Sequence, residues 1–498
     1  MFVFNSLICS GISTNRHQRK QNRYVSSAPP RGQYSVLCDQ DLNLFESIVG
    51  QKNCQTSDLD PYNTDWLKAY KGSSKCILFP TCDQQVSAIL KHCYSRNIAV
   101  VPQSGNTSLV GGSVPVYDEV ILSIRKLNQH FAFDPYSGIL ECDAGMIMED
   151  VDNRLATYGF MMPYDLGSRG SCLIGGNVST GVGGVRHLRF GSLHNRIVGL
   201  NVVLADEKGS IVKFGSKIRK DNTNLHIHQI FVGSEGQLGI ITRIIMAVVP
   251  RPNSIQVTMI GANSPNSCLE ILRAAQNELC EILSAVELMD HESMICLEEN
   301  ENLKNVLKTH SPFNIIIETM GSDEEHDKEK IEKFMCKIID EGLAVDGVQA
   351  ADKKEATYIW KLRKTLPLAP LHDGFVFKHD ISLPLKHFFV LSDIIKQRLG
   401  SLAKRVITFG HMADGDCHVN VSAKQYSPEI NAKLYPFLCE WVVEHGGSIS
   451  AEHGIGQERR PYKNIGKGYE IKMAEHIKRI FDPRYILSPY KMIYNENV

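Results

Sequence analysis

Seven of the twenty residues from Asp165 to Gly184 are glycine, in a run reading Asp-Leu-Gly-Ser-Arg-Gly-Ser-Cys-Leu-Ile-Gly-Gly-Asn-Val-Ser-Thr-Gly-Val-Gly-Gly. Such a run makes a poor helix or strand interior, because glycine has no side chain to bury and loses the most conformational freedom on folding. A second segment, Pro102-Gln-Ser-Gly-Asn-Thr-Ser-Leu-Val-Gly-Gly112, has the same character. Both are longer than ordinary connections between elements, which argues against a purely connecting role. Glycine lets the backbone approach a ligand closely and aim successive N–H groups at one anion, while interleaved Ser, Thr and Asn add further donors. That is the chemistry of a pyrophosphate cradle. Neither segment has the G-x-G-x-x-G or G-x-x-x-x-G-K-[ST] spacing, which disfavours the usual nicotinamide and ATP enzymes.

Around these segments the chain of 498 residues reads as mixed helix and strand, long enough for two to four domains at roughly 100–200 residues each. Val86–Tyr94 has apolar residues at helical spacing and feeds a short strand at Ile98–Val101. Further strand-length apolar runs are Val120–Ile124, Val198–Leu204, Ile240–Val249 and Ile255–Ile260. Pro250-Arg-Pro252 interrupts the pattern and marks a domain boundary. Beyond it, helices over Ser267–Cys280 and Asp323–Glu341 with a strand at Asn314–Glu318 indicate an α+β domain. Near the end, Ile471, Ala474, Ile477, Ile480 and Phe481 share one helical face.

Composition narrows the class. With 54 Lys+Arg against 55 Asp+Glu, nothing in the overall charge calls for nucleic acid or an anionic membrane as partner. No run of 18 apolar residues is present, so no transmembrane helix is expected. The 14 cysteines are scattered singly with no C-x-x-C pair, a pattern of reduced thiols. From Met1 to Cys38 there is no acidic residue, while Arg16, Arg19, Lys20, Arg23 and Arg31 lie among Ser, Asn and Gln. This is the composition of a mitochondrial transit peptide, or of a disordered basic tail without an address.

The Pro102–Thr107 segment, the later Ile-Gly-Gly-Asn177 and Gly233-Ser-Glu-Gly-Gln-Leu-Gly-Ile-Ile-Thr242 resemble the flavin-binding domain of the vanillyl-alcohol oxidase and p-cresol methylhydroxylase superfamily. Within it the chain is similar to the branch of D-2-hydroxyglutarate dehydrogenases, D-lactate dehydrogenases and glycolate oxidases, from about Asp60 to the C-terminus. The resemblance implies an α+β architecture: a two-subdomain FAD-binding domain and an α+β substrate domain forming a cap. The expected division is 1–35 for the leader, 36–70 for a helical segment and 71–252 for the FAD domain. Residues 253–457 then form the substrate and metal-binding cap, and 458–498 a helical segment packing on the FAD domain. The expected FAD contacts are Pro102, Ser104, Gly105, Asn106, Thr107, Ser108, Gly111 and Gly112; Asp165, Leu166, Gly170, Ser171, Gly175, Gly176, Asn177, Thr180 and Gly183; and Glu235, Gly239 and Ile240. Ser104 and Ser108 stand where the family has glycine, and Gly181 stands where it has Asn.

A metal constellation is suggested in the second half. Gly410-His-Met-Ala-Asp-Gly-Asp-Cys-His418 places two histidines around Asp414-Gly415, a preferred centre for a two-residue hairpin. If the chain turns there, His411 and His418 sit directly across from each other with Cβ atoms about 5 Å apart, and Asn420 shares their face. A wider glycine turn would also pair them. Ser448-Ile-Ser-Ala-Glu-His-Gly454 offers Glu452 and His453. Two imidazoles and a carboxylate form a common catalytic zinc set that Mn or Fe also accepts. Histidines near turns are, however, more often plain surface or core residues. The family motifs G-H-x-G-D-G-N-x-H and S-x-E-H-G match at His411, Asp414, Gly415, His418, Glu452, His453 and Gly454, which implies a metal on His411, His418 and Glu452. Asp416 replaces the family Asn and adds a carboxylate beside the site.

Arg363 and Lys378 suit an anionic substrate through paired hydrogen bonds and a point charge, although each alone is the sort of residue usually solvated. In the hydroxyglutarate branch the matching cations hold the substrate with a Thr four residues after the Arg. Here that place is Pro367. The resemblance therefore implies an FAD-dependent dehydrogenase of a D-2-hydroxy acid, D-2-hydroxyglutarate first, with Asn420 also at the substrate and His453 as base. D-lactate and glycolate are same-family alternatives, and a flavin-binding interaction protein without turnover is the alternative of another class. Electron-transferring flavoprotein is the expected acceptor, the mitochondrial matrix the expected location, and a homodimer a possible assembly.

Overall fold

The computed structural model describes residues 28–494. The basic segment 1–27 lies outside the described residues, and with it most of the expected leader. Residues placed in that leader by the 1–35 boundary nonetheless belong to the fold. Arg31 pairs with Asp118 at 2.8 Å, and buried Tyr34 donates its hydroxyl to the carbonyl of Tyr485. The packed chain thus begins earlier than residue 36.

The first half holds two larger sheets and a two-stranded pairing of Phe160–Met161 with Val249–Pro250. In one, Val100–Gln103, Val120–Ser123 and Ile77–Leu78 run parallel, with Cys54–Gln55 added antiparallel at the edge. The helix Asp83–Arg96 buries Val86, Ile89, Leu90 and Cys93, one stripe at helical spacing, and stops at left-handed Asn97. The other sheet is antiparallel and five-stranded, in the order Phe131–Asp134, Ile139–Asp143, Ile240–Ala247, Ile197–Val203, Ile211–Gly215. Their shared core also takes in Ile486, Leu487, Tyr490 and Ile493 from the end of the chain. The helix Gly468–Phe481 lays Ala474, Ile477 and Phe481 on this core, but Ile480, expected on the same face, is 71% exposed. Fully buried Lys478 supplies the anchor instead, donating to the carbonyls of Gln237 and Leu487 and pairing with Asp482 at 2.8 Å.

The second half is built on a seven-stranded antiparallel sheet. Its order is Ala344–Gln349, Ser254–Ala262, Phe313–Gly321, Leu283–Asp290, Arg405–His411, Asp416–Ala423, Phe375–Ser382. Side chains alternate across it with period two. Val286, Leu288, Val406, Cys417, Val419, Val421, Phe375, Phe377 and Ile381 face a core closed by the helices Pro265–Glu278, Glu324–Asp340 and Val390–Leu399. Burial of each such Val, Leu or Ile contributes about 1.5–3 kcal/mol, which fixes the register. The opposite face is thereby forced to carry Glu287, Phe409, His411, Asp416, His418, Asn420, Lys378 and Asp380. The cysteines of the described residues are all free thiols.

Candidate active site

Strand register brings the polar residues of that face into adjacent rows. Glu287 pairs with His411, Phe409 and Asp380 flank His418, and Lys378 lies across from Asn420. The expected two-residue hairpin is not formed. Met412–Asp414 make a 3-10 turn completed by left-handed Gly415, so the residue directly across from His418 is Phe409, with His411 diagonal to it. The longer turn keeps both histidines on one face, and their rings lie 6.0 Å apart. Ser448 bridges to Ser382 at the sheet edge, and the chain then turns so that Glu452 reaches the same place. His411 Nε2 is 3.7 Å from Asp416 Oδ2 and 3.9 Å from Glu452 Oε1; His418 Nε2 is 3.9 Å from each of those oxygens. All four donors lie within 4.8 Å of one another.

Partners behind the cluster set ring orientation. His411 Nδ1 is hydrogen-bonded to Glu287 Oε1, while Glu287 Oε2 accepts from Arg363 Nε at 2.6 Å. His418 Nδ1 lies 3.8 Å from Asp380 Oδ1 and His453 Nδ1 3.6 Å from Asp380 Oδ2. Carboxylates behind both imidazoles leave their Nε2 atoms pointing forward, the usual support for metal-ligating histidines. Buried Asp380 also accepts from the backbone N–H groups of Glu452 and His453 and pairs with Arg459 Nη1 at 3.0 Å. Burial works against its charge, but His453, Arg459 and His418 hold it well below the usual range. Burial pushes His418 down to about 3, leaving it neutral. Burial and the carboxylates of Glu452 and Asp380 drive Asp416 well above its ordinary value. Such crowding of acids around neutral imidazole is what a bound cation offsets.

Beside this cluster the glycine segments enclose a cavity. Of the expected FAD contacts, Pro102, Ser104, Ser108, Gly112, Gly175, Gly176, Thr180, Glu235, Gly239 and Ile240 line it, and so does His453. The two segments meet closely, since a Cβ at Gly176 would lie 2.3 Å from Ser104 Oγ. That Oγ is buried without a hydrogen-bond partner, and apolar walls come from Ile124, Ile240 and Ile241. A glycine-lined floor, an unsatisfied hydroxyl and apolar walls fit a flavin nucleotide. Gly105, Asn106, Thr107, Gly111, Asp165, Leu166, Gly170, Ser171, Asn177 and Gly183 do not line this cavity. Several of them are engaged in the scaffold. Asn106 donates to the carbonyls of Pro61 and Thr64, Asn177 to Tyr164 Oη, and Asp165 pairs with Arg169. Gly181 is the left-handed C-cap of Ile174–Thr180, a conformation Asn also adopts, so its difference from the family is conformationally conservative.

Of the two expected substrate cations, Arg363 is buried over the Phe409 ring at 4.8 Å, and Lys378 donates to the carbonyl of Pro367 at 2.8 Å. Both adjoin the histidine cluster on the same face. Sequence reasoning missed Glu287, Asp380 and Arg459. Asp380 lies two residues after Lys378, so period two alone would have put it on this face. Also missed was the clamp made by Glu235, which accepts from the N–H groups of Ile455 at 2.6 Å and Gly456 at 2.9 Å and ties the His453 loop to the first half.

Comparison with known proteins accords with this arrangement. Residues 74–215 match the FAD binding domain family, and residues 251–492 match the family of FAD linked oxidases, C-terminal domain. The chain is 42% identical over 462 residues to a mitochondrial D-2-hydroxyglutarate dehydrogenase of Rattus norvegicus, covering 92% of this chain and 86% of that one. It is 38% identical over 475 residues to a D-2-hydroxyglutarate–pyruvate transhydrogenase of Saccharomyces cerevisiae, covering 92% and 95%. Its fold resembles p-cresol methylhydroxylase solved with substrate bound, with a TM-score of 0.72 at 17% identity, covering 92% of this chain and 97% of that one.

Proposed function

This chain belongs to the D-2-hydroxyglutarate dehydrogenase family of FAD-linked oxidases and is an FAD-dependent dehydrogenase; from that premise we propose that it oxidises D-2-hydroxyglutarate to 2-oxoglutarate. The observation that carries the reading is His453, which lines the glycine cavity while its Nε2 lies 3.9 Å from Glu452 Oε1. It therefore faces both the place of electron acceptance and the cluster that would hold the hydroxyl. When bound, FAD supplies the hydride acceptor at N5, and a divalent cation, zinc first, supplies charge that favours ionisation of the 2-hydroxyl.

The chain's residues do the rest. His411 Nε2, His418 Nε2 and Glu452 Oε1 would hold the cation, with Glu287 and Asp380 fixing the two rings. His453 Nε2 takes the proton of the 2-hydroxyl, with Asp380 Oδ2 3.6 Å behind its Nδ1 to orient the ring. The C2 hydrogen leaves with its electron pair, so the alcohol loses two electrons and two hydrogens. Asn420, Lys378 and Arg363 bind the substrate carboxylates. Pro367 offers only its carbonyl, already engaged by Lys378, and on that observation D-lactate is the second reading. The mitochondrial location is inferred from the rat relative's name, with electron-transferring flavoprotein as acceptor. A 2-oxo acid in that role is the alternative prompted by the yeast relative's name. Steady-state kcat/KM for D-2-hydroxyglutarate, D-lactate and glycolate tests the substrate. The reading expects the first to lead, and a higher value for D-lactate would replace it.

A further inference from the structure

We infer that Asp416 is a fourth protein ligand of the cation, so that this chain binds its metal with two imidazoles and two carboxylates. The inference rests on the proposed function for the presence of the cation and concerns a residue in which the chain departs from its family's motif. Two independent observations support it. First, Asp416 Oδ2 stands 3.7 Å from His411 Nε2 and 3.9 Å from His418 Nε2, the same spacing that Glu452 Oε1 keeps from both. Ligands about 2.1 Å from a common tetrahedral ion are about 3.4 Å apart, so each distance needs a contraction of only a few tenths of an ångström. Second, Asp416 is 6% exposed, and its other oxygen, Oδ1, has no hydrogen-bond partner. A carboxylate out of water with an unmet oxygen is costly unless something positive satisfies it.

Consequences follow from the ligand count. Two carboxylates neutralise a divalent ion fully, whereas Glu452 alone leaves one positive charge. Four protein donors would also leave fewer places for substrate on a bound ion than three would. An amide at position 416 would offer a neutral oxygen of almost the same shape, which separates the charge from the packing.

Flavin-loaded protein reconstituted with zinc is titrated with a chelator, and zinc per flavin is measured for the wild type, Asp416→Asn and Asp416→Glu. Loss of a partner merely supporting a ligand typically weakens affinity 10–100-fold, so the Asn variant should release zinc at roughly tenfold lower chelator or less, with unchanged flavin content. The Glu variant should fall between them. An Asn variant whose midpoint lies within twofold of wild type would overturn the assignment and leave the proposed reaction standing. Wild type that never holds stoichiometric zinc, manganese or iron would overturn both. Manganese-loaded samples give a second readout: the paramagnetic resonance spectrum should differ between wild type and Asp416→Asn, and identical spectra would count against the ligand.

Discussion

Replacing Asp380 by Asn keeps the shape and removes one negative charge from a place where three groups depend on it. In the wild type, Arg459 Nη1 lies 3.0 Å from Asp380 Oδ2, and both side chains are almost wholly out of water. Breaking a buried pair by removing one partner typically costs about 3–5 kcal/mol, because the other charge is left uncompensated. In a domain of this size about 2–4 °C of melting temperature follows each kcal/mol, so the flavin-loaded variant should melt roughly 6–20 °C lower. The Asn oxygen still accepts the N–H groups that Glu452 and His453 donate, so the loop should stay docked. Catalysis should suffer separately, since His453 loses the carboxylate 3.6 Å behind its Nδ1 and His418 the one at 3.8 Å. A positioned acid or base is worth about 10²–10⁴-fold, and most of that should disappear from kcat. Thermal unfolding followed by flavin fluorescence, with steady-state rates on the same sample, reads both effects. A variant with unchanged melting temperature and kcat within threefold of wild type would refute the role given to this carboxylate.

Three further outcomes are expected. His418→Ala should abolish activity and stoichiometric metal while leaving bound FAD, because the ligand is on the seven-stranded sheet of the second half and the cradle in the first half; elemental analysis against flavin absorbance separates the two. Asp373 is held down to about 2, where hydrogen bonds from Lys404, Ser422 and Arg405 outweigh burial. Its contribution to stability is complete above the unfolded carboxyl value near 4 and is lost as pH falls toward 2. Denaturant midpoints should therefore drop less steeply between pH 4 and pH 2.5 in Asp373→Asn than in wild type. Pro367→Thr should raise the kcat/KM ratio of D-2-hydroxyglutarate to D-lactate by about tenfold, the worth of one hydrogen bond to a charged group; an unchanged ratio would mean position 367 does not face the distal carboxylate.

The legible part of this site was local. Glycine-dense runs, an imidazole pair flanking Asp-Gly, and a Glu-His before glycine each announce their chemistry within a few residues. What escaped was set by register. The four-residue turn Met412–Gly415 moved His411 off the position opposite His418, because Asp-Gly serves here as the end of a 3-10 turn. Glu287 comes from a strand distant in sequence, and pairing with His411 gives it meaning. The same holds for the cradle. Asn106, Asn177 and Asp165 have side chains suited to a cofactor, yet they bond neighbouring loops, a choice that depends on tertiary packing. The helix Gly468–Phe481 shows the converse: apolar periodicity foretold the helix, while the exposure of Ile480 and burial of Lys478 depended on what the chain end packs against.

The proposed reaction requires electron transfer from substrate to flavin in the intact, metal-loaded protein. Anaerobic addition of D-2-hydroxyglutarate should bleach the visible flavin absorption stoichiometrically, with 2-oxoglutarate formed in equal amount and no bleaching by the L enantiomer. Flavin that remains fully oxidised with D-2-hydroxyglutarate, D-lactate and glycolate alike, in protein shown to hold both FAD and metal, would contradict it.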